Sequence, residues 1–365
     1  MTLVMAAMSL LTNVLFWRKI MSKTMKAIVM SAFGTPEVLS VATIAMPRPK
    51  NNEVLIKVEA AGINRLDHYI REGGVNPNIN FPFILGSDAV GHVAELGSQV
   101  TQFTLGERVI PMPGYPVDPN DHDAEVLGTS KSYAIRGLIE HGAYAQYMVV
   151  PENCLLKETT GLPAELLAGL PMPLVTGVRA VKEVGEVKAG QYVLVHAGAS
   201  STGSMMIQVA KTLGAKVATT TRTDDKVEFL KSIGADLVIS GNPDNTVELI
   251  NEWTNSAGLD VVIDQLGGDS LRQSVEWVKP LGIVVLMGNV LGLESTIPVR
   301  SLFFPQKQIR GTLMGNVSDL EWGLEQVKNG NIKPQIDTVF TPEQATEAHQ
   351  YLADGKALGL TVFKF

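Results

Sequence analysis

The chain has very little cysteine, since Cys154 is the only one among 365 residues. One thiol cannot form an internal disulfide framework, and it cannot supply a zinc site that needs several thiolates. A single cysteine fits a reducing compartment, so we expect a cytoplasmic protein. Cys154 itself is most simply a small buried hydrophobe.

Positive charge is also scarce: acidic residues outnumber basic ones, and the sequence contains no long run of basic residues. The chain has 30 Lys and Arg residues against 37 Asp and Glu residues, which gives a formal net charge of -7. Nucleic-acid binders normally carry a basic patch, so this composition argues against nucleic acid as a partner. With 45% hydrophobic residues the chain can bury a large core, and its length favours two domains.

Long hydrophobic runs are absent except near the start, where residues 3–17 are strongly apolar and Arg18 and Lys19 follow. No positive charge precedes this run, no small-residue cleavage site follows it, and about 15 residues are too few to cross a bilayer comfortably. We expect residues 1–24 to be an extension outside the fold that arises from an upstream start codon. A membrane anchor is the alternative.

Past residue 24 the predicted pattern of strands and helices changes twice along the chain, which indicates two domains. Residues 25–154 predict a mainly antiparallel β domain, because short apolar segments are interrupted by glycine and proline. Residues 155–299 alternate strands with helices, which implies a parallel sheet covered on both faces. The clearest of these predicted strands are 216–221, 237–240 and 259–264. Residues 300–365 return to short strands, and the last strand, 360–365, is expected to rejoin the first domain.

The most informative segment is a strand that runs into a glycine-containing turn, YVLVHAGASSTG at residues 192–203. Gly198, Ser200 and Gly203 occupy the positions of a G-x-G-x-x-G dinucleotide fingerprint, and a helical pattern begins at Gly203. A helix N-terminus attracts phosphate, and hydroxyl groups can add donors. Ser200 departs from the fingerprint because it adds a side chain where the backbone approaches the phosphates. Taken alone, the turn could equally be a structural connection. The candidate cofactor residues of the turn are Gly198, Ser200, Ser201, Thr202 and Gly203.

The end of the next strand bears on the choice between NAD and NADP. A protein that binds NAD normally places an acidic side chain there, on the ribose 2'-hydroxyl. This chain has TTTR at residues 219–222, and Lys226 follows closely. An arginine at this point can pair with a 2'-phosphate. Thr221, Arg222 and Lys226 therefore favour NADP, although Arg222 could also be a solvated loop charge beside Asp224.

Four further segments stand in a recognisable order along the chain. They are AGINRLDHYIREG at 61–73, PFILGSDAVG at 82–91, GAYAQYMVVP at 142–151 and RGTLMGN at 310–316. With the turn, they resemble the medium-chain dehydrogenase/reductase superfamily, especially its quinone-oxidoreductase-like and zinc-binding-dehydrogenase-like members. The resemblance covers about residues 25–365. It implies an α/β fold in which a Rossmann doubly wound parallel sheet packs against a GroES-like, mainly antiparallel β domain, with the active site between them.

The resemblance also implies roles for particular residues. Thr176 is expected near the nicotinamide end of the cofactor, although a threonine also suits a helix start. Asn64 and Tyr69 are expected to be the catalytic hydrogen-bond donors, and Asp67 to fix local structure. Tyr69 is explained equally well as a packed aromatic. A homodimer is expected if residues 282–290 form an inner strand that continues across an interface; the last strand of a monomer is the alternative.

The chain departs from the zinc alcohol dehydrogenases of this superfamily at the positions of their ligands. Asn64 stands where they have cysteine, and GSD at 86–88 stands where they have Gly-His-Glu. Residues 112–141 lack the four cysteines of their structural zinc lobe. Asparagine and serine are poor zinc ligands. The acidic and histidine residues at 67–68 and 121–123 have no second histidine at ligand spacing, so we predict no metal.

Together these observations predict an NADPH-dependent oxidoreductase that transfers hydride to a quinone or an α,β-unsaturated carbonyl. Without a metal, such an enzyme must polarise its small-molecule acceptor by hydrogen bonding. Two alternatives remain open. One is an alcohol or aldehyde oxidoreductase with an unrecognised metal, and the other is a weakly catalytic NADPH-binding protein with a structural or regulatory role. We expect no membrane association.

Overall fold

The computed structural model describes residues 23–365 except 119, 122, 123 and 242. The first strand begins at Thr24. The prediction for residues 1–24 therefore falls almost entirely outside the described residues, as does most of the 121–123 segment. Within the described part of the chain, no helix is long and apolar enough to cross a bilayer.

The described residues form strands and helices that are named here in chain order. The strands are β1 (Thr24–Met30), β2 (Leu39–Ala45), β3 (Glu53–Ile63), β4 (Asp88–Leu96), β5 (Arg108–Pro111), β6 (Gly114–Pro116), β7 (Tyr133–Ile135), β8 (Tyr147–Pro151), β9 (Leu155–Lys157), β10 (Tyr192–Val195), β11 (Lys216–Thr221), β12 (Leu237–Ser240), β13 (Leu259–Asp264), β14 (Val278–Leu286), β15 (Gln308–Gly311), β16 (Ile336–Phe340) and β17 (Leu360–Lys364). The α-helices are α1 (Arg65–Arg71), α2 (Ala164–Ala168), α3 (Pro171–Val178), α4 (Ser201–Thr212), α5 (Val227–Ser232), α6 (Thr246–Trp253), α7 (Asp269–Trp277), α8 (Val299–Phe303), α9 (Val317–Lys328) and α10 (Ala345–Ala353).

One sheet is mainly antiparallel and contains strands from both ends of the chain. Its order is β16-β17-β3-β4-β5-β9, and β8 also pairs with β3. β17 pairs antiparallel with β3, where Val362 lies opposite Gly62, so the end of the chain does rejoin the first β region. β3 ends just before α1, and β4 begins just after Gly86. Because Gly62 pairs with Asp88, these two segments lie at the same end of the β3–β4 pair.

The other large sheet is parallel, with the order β12-β11-β10-β13-β14-β15. Successive strands are joined by helices, as expected for a doubly wound fold. The predicted strands 216–221, 237–240 and 259–264 are confirmed as β11, β12 and β13. The fold class is therefore confirmed.

The parallel sheet continues past residue 299, where the predicted Rossmann segment ends. β15 pairs with β14 in parallel register, with Ile309 opposite Val284. The strand is short and follows a long connection, so the alternation of strands and helices does not reveal it. β14 consequently has β13 on one side and β15 on the other, and it is an inner strand of this chain rather than its last strand.

The helix α3 links the two sheets through a shared hydrophobic core. All its residues are buried, and it packs against α4 and α9. A helix that is apolar on every side is stable only when it is surrounded. Its proline-rich start, Pro171-Met-Pro, suits the first turn of a helix because the missing proline N–H groups need no acceptor there. The N-terminus of α3 contacts the start of β4, where the N–H of Met172 donates to Asp88.

Candidate functional site

A cavity of about 580 Å³ lies at the carboxyl ends of β10, β11 and β13 and extends to the start of α1. Open parallel sheets bind their ligands in this crevice. The cavity brings together many of the residues that the sequence predicts for the site, namely Asn64, Ser200, Ser201, Thr202, Thr221, Arg222 and Lys226. Tyr69, Thr176, Gly198 and Gly203 are not among its lining residues.

The turn between β10 and α4 is ordered by Ser200. Ser200 is the N-cap of α4, and its Oγ accepts the N–H of Gly203 at 3.0 Å. The hydroxyl donates to the carbonyl of Ala197 at 2.9 Å. The helix therefore begins at Ser201, two residues before the predicted start, because a capping serine adds a turn that periodicity does not show. The Ser200 hydroxyl is therefore bonded within the turn.

The two glycines of the turn support the cavity without lining it. A Cβ at Gly203 would lie 2.5 Å from the carbonyl oxygen of Ala197, and one at Gly198 would overlap Thr219 Oγ1. Both positions therefore need glycine for close packing of the strand, turn and helix. The N–H groups of Ser201 and Thr202, at the first positions of α4, have no intrahelical acceptor and carry the positive end of the helix dipole. This arrangement fits the phosphates of a dinucleotide.

Cations gather at the tip of β11. Lys226 Nζ donates to the carbonyl of Gly355 at 2.7 Å, and a Cβ at Gly355 would overlap the guanidinium of Arg222. Burial lowers the pKa of Lys226, and the neighbouring Arg222 lowers it further. Among the described residues, neither Arg222 nor Lys226 forms an ion pair with a carboxylate. Thr221 lines the cavity beside them, so this end of the cavity fits an anionic group such as a 2'-phosphate.

Arg65 is a cation of the site that the sequence prediction missed. It lines the cavity from α1, its Nη2 lies 3.5 Å from the carbonyl of Leu352, and its charge also lowers the pKa of Lys226. In the sequence it stands directly after Asn64, but its closeness to Lys226 exists only in the folded chain. Positive charge therefore converges on one end of the cavity from both sheets.

Asn64 also lines the cavity, and its side chain contacts a buried carboxyl group. Its side chain is 5% exposed, and its Nδ2 donates to Asp88 Oδ2 at 2.8 Å. The other oxygen of Asp88 accepts the N–H of Met172, at the start of α3, at 2.8 Å. Asp88 therefore connects the start of α1 with the start of α3. One N–H of the Asn64 amide is used in this contact, which the sequence did not predict.

Asp67 has the structural role that the sequence favoured. It accepts hydrogen bonds from the backbone N–H of Asn64 at 2.7 Å and from the hydroxyl of Tyr144 at 2.9 Å. Burial raises the pKa of Asp67 to about 6, although these hydrogen bonds oppose the shift. Burial also raises the pKa of Asp88 to about 8, with a further contribution from Asp67. A neutral Asp88 can donate a hydrogen bond, whereas the ionised group can only accept.

The remaining candidates lie away from the cavity surface. Tyr69 is half-buried, with its ring centroid 5.7 Å from that of His68. Thr176 is buried in α3, where its hydroxyl lies 3.6 Å from the sulfur of Met314. The roles of Tyr69 and Thr176 stay predictions. Among the residues that the structure describes, no group of three or more His, Cys, Asp or Glu side chains is placed to hold a metal ion.

Comparison with known proteins agrees with this geometry. Residues 50–164 match the family described as alcohol dehydrogenase GroES-like domain, and residues 201–329 match the family described as zinc-binding dehydrogenase. A crystal structure of an NAD-dependent alcohol dehydrogenase superposes with a TM-score of 0.86 at 30% sequence identity, covering 93% of this chain and 100% of that one. The chain belongs to the medium-chain dehydrogenase/reductase superfamily. It is an oxidoreductase of a family that uses a nicotinamide cofactor.

Two curated relatives of this superfamily are similar over nearly the whole chain. A 2-haloacrylate reductase from Burkholderia sp is 28% identical over 343 residues, which is 90% of this chain and 96% of the relative. A quinone oxidoreductase from Homo sapiens is 28% identical over 344 residues, which is 91% of this chain and 95% of the relative. The resemblance drawn from the sequence motifs is therefore confirmed.

Proposed function

We propose that this protein is an NADPH-dependent reductase of quinones or α,β-unsaturated carbonyl compounds that needs no catalytic metal. The observation that carries the proposal is the cavity itself, whose lining includes the N-terminus of α4, the cations at the β11 tip and Asn64. These features suit, in turn, a pyrophosphate, a 2'-phosphate and a polarisable oxygen. The names of the two curated relatives are in keeping with such substrates.

The preference for NADP over NAD rests on the charges at the β11 tip. Among the described residues that line the cavity there is no carboxylate that could bind a ribose 2'-hydroxyl, whereas Arg222 and Lys226 both line it. Arg222 offers the planar fork that binds phosphate in a bidentate manner, and Lys226 adds a point charge. Both groups lie close to Gly355, which also lines the cavity.

The chain's own residues would position and polarise the acceptor. Bound NADPH supplies the hydride. The remaining N–H of Asn64 would donate to the acceptor oxygen, where negative charge develops as the hydride arrives. Apolar side chains of Leu66, Met172 and Leu291 line the cavity nearby and suit a flat, conjugated acceptor. Tyr69 is kept as a second candidate donor.

The test is the oxidation of NADPH at 340 nm by the purified protein in the presence of quinones, enones, aldehydes and enoyl thioesters. We expect turnover with quinones or enones that a chelator does not change. Stoichiometric zinc that is lost together with activity would instead support the alcohol or aldehyde oxidoreductase. Tight NADPH binding without turnover of any acceptor would support a structural or regulatory role.

We also infer a homodimer, formed through the edge of the parallel sheet. β15 has a strand neighbour on one side only among the described strands. Large apolar side chains are exposed on the adjoining segment, including Leu293 at 86%, Val299 at 75% and Phe304 at 70%. An unpaired edge beside exposed apolar surface is typical of an interface. Light scattering on the protein as it elutes from a size-exclusion column tests the homodimer, and the mass of a monomer would refute it.

A cytoplasmic location is inferred from the single cysteine and is tested by cell fractionation.

A further inference from the structure

The Ser200 hydroxyl is fully hydrogen-bonded inside the turn. It donates to Ala197 O and accepts from Gly203 N–H, at the distances given above. A hydroxyl has one donor and two acceptor lone pairs, so these contacts leave one lone pair. The side-chain amide of Gln265 donates to it at 3.3 Å. The serine at the departing position of the fingerprint is therefore held by a residue far away in the sequence.

Gln265 is well placed to hold the whole turn. It follows β13, which lies beside β10 in the parallel sheet, and it lines the cavity. Its Nε2 donates to the carbonyl of His196 at 2.6 Å and lies 3.4 Å from that of Ala197. The backbone behind it is closely packed, because a Cβ at Gly288 would overlap the carbonyl oxygen of Gln265. One amide group therefore connects two carbonyls of the turn with the capping hydroxyl.

An outward rotation of the Ser200 side chain would have two costs. The hydroxyl would enter the space in which the second glycine of the fingerprint lets phosphate approach the backbone. The N–H of Gly203 would also lose its capping partner, at a cost of about 1 kcal/mol. The contact with Gln265 favours the inward position, in which the N–H groups of Ser201 and Thr202 remain open to the cavity.

We propose that Gln265 is a positioning residue for the cofactor, which keeps the Ser200 hydroxyl inward so that serine can replace the second glycine of the fingerprint. This inference rests on the proposed function, because it requires that the turn bind a dinucleotide. It concerns the affinity for the pyrophosphate, which NADPH and NADH share. Gln265 variants should therefore weaken both cofactors alike, in contrast to changes at the β11 tip.

The experiment is a double-mutant cycle that measures dissociation constants by NADPH fluorescence titration. The variants are Gln265→Ala in the natural chain and in a Ser200→Gly background. Gln265→Ala should raise the NADPH dissociation constant about tenfold where Ser200 is present, the loss typical of one hydrogen-bonded contact. In the glycine background it should raise the constant at most about threefold, because no hydroxyl remains to be held.

Controls separate this effect from misfolding. Gln326→Ala removes a half-buried glutamine on α9 that does not line the cavity and whose side-chain oxygen accepts a hydrogen bond from the amide of Asn331. This variant should leave the NADPH affinity unchanged. If Gln265→Ala does not fold, Gln265→Asn, which is one methylene shorter, replaces it in both backgrounds. Circular dichroism and thermal unfolding confirm the fold of each variant.

The outcomes distinguish the inference from the function on which it rests. If the natural chain binds neither NADPH nor NADH, both the role of Gln265 and the proposed function are refuted. If the natural chain binds NADPH but Gln265→Ala has the same effect in the serine and glycine backgrounds, or none in either, the proposed function stands and the role of Gln265 is refuted. A loss confined to NADPH, with NADH unaffected, would also refute it.

Discussion

The two walls of the cavity are built in different ways. The turn wall, residues 197–203 with 221–226, comes from one continuous stretch of strand, turn and helix, and its glycines act through the backbone. The carboxyl wall consists of Asn64, which lines the cavity, and of Asp67 and Asp88, which are buried behind it; the three are brought together from the start of α1 and the start of β4. The first wall depends on local geometry, whereas the second depends on the burial of polar groups, and mutations should affect the two differently.

The largest effect is expected at Gly203 in the turn wall. A Cβ there would lie 2.5 Å from Ala197 O and 2.8 Å from Gly198 Cα, and neither backbone atom can move without distorting the turn. Gly203→Ala should weaken NADPH binding about hundredfold, which corresponds to roughly 3 kcal/mol of strain and lost contacts. Fluorescence titration measures it. Gly311→Ala on β15, where a Cβ has nothing within 4 Å, is the matched control. Comparable losses in both variants would contradict a local cause.

A charge reversal at the end of the turn wall should be selective. Arg222→Asp should weaken NADPH binding about thirtyfold and leave NADH nearly unchanged, because only NADPH carries the 2'-phosphate. Dissociation constants for the two cofactors measure the selectivity. The control is Arg272→Ala, which removes an exposed arginine on α7 that pairs with Glu276. Equal losses for both cofactors would show that Arg222 does not bind the 2'-phosphate.

A change in the carboxyl wall should affect turnover rather than cofactor binding. Asn64→Ala should lower kcat about tenfold, the effect typical of one lost hydrogen bond, while the NADPH dissociation constant stays nearly constant. Steady-state kinetics and titration measure the two quantities separately. Asn78→Ala, at an exposed asparagine beyond α1, serves as the control. Unchanged turnover in Asn64→Ala would remove Asn64 from the site.

The smallest effect is a pH dependence of stability that comes from the carboxyl wall. Because burial raises the pKa of Asp88 from 3.8 to about 8, the folded protein keeps a proton that the unfolded chain releases. This contribution is fully present below pH 3.8 and is lost as the pH rises through about 8. Asp67, with its pKa raised to about 6, loses its contribution at lower pH. The free energy of unfolding should therefore decline from pH 6.5 to 8.5.

One buried histidine has the opposite sign and sets the lower limit of that window. Burial lowers the pKa of His349 from 6.5 to about 3, so its contribution is complete above pH 6.5 and is lost as the pH falls. Urea unfolding at pH 6.5 and 8.5 compares the natural chain with Asp88→Asn, which keeps the shape but removes the titration. The variant should show a smaller decline. A decline as large as in the natural chain would place the titration at another group.

Much of the turn wall could be predicted from the sequence because its signals are local. Short apolar runs between helical patterns predict β11, β12 and β13, and the predicted end of β11 places Arg222 at the tip of that strand. The inward rotation of Ser200 could not be predicted, since it depends on Gln265 in a different strand–helix unit. Arg65 was missed for the same reason. Its approach to Lys226 requires the two sheets to face each other.

The carboxyl wall illustrates the limit most clearly. The sequence motif marks Asn64 and Asp67, but it does not indicate that Asp88 connects Asn64 with the N-terminus of α3. Hydrogen bonds between distant segments and the burial that raises a pKa are properties of the folded chain, because both depend on which groups exclude water from one another.

The sequence by itself determined the fold class, the strand-turn-helix segment at 192–203, the cationic strand tip and the absence of the usual zinc ligands. The last three depend on residue types and spacings within short segments, and the fold class follows from several such segments in a recognisable order. Only the tertiary structure decided the hydrogen bonds of the Ser200 side chain, the convergence of Arg65 with Lys226, and the burial that raises the pKa of Asp88. These depend on distances between segments that are remote in the chain, and such distances exist only once the two sheets and α3 have packed together.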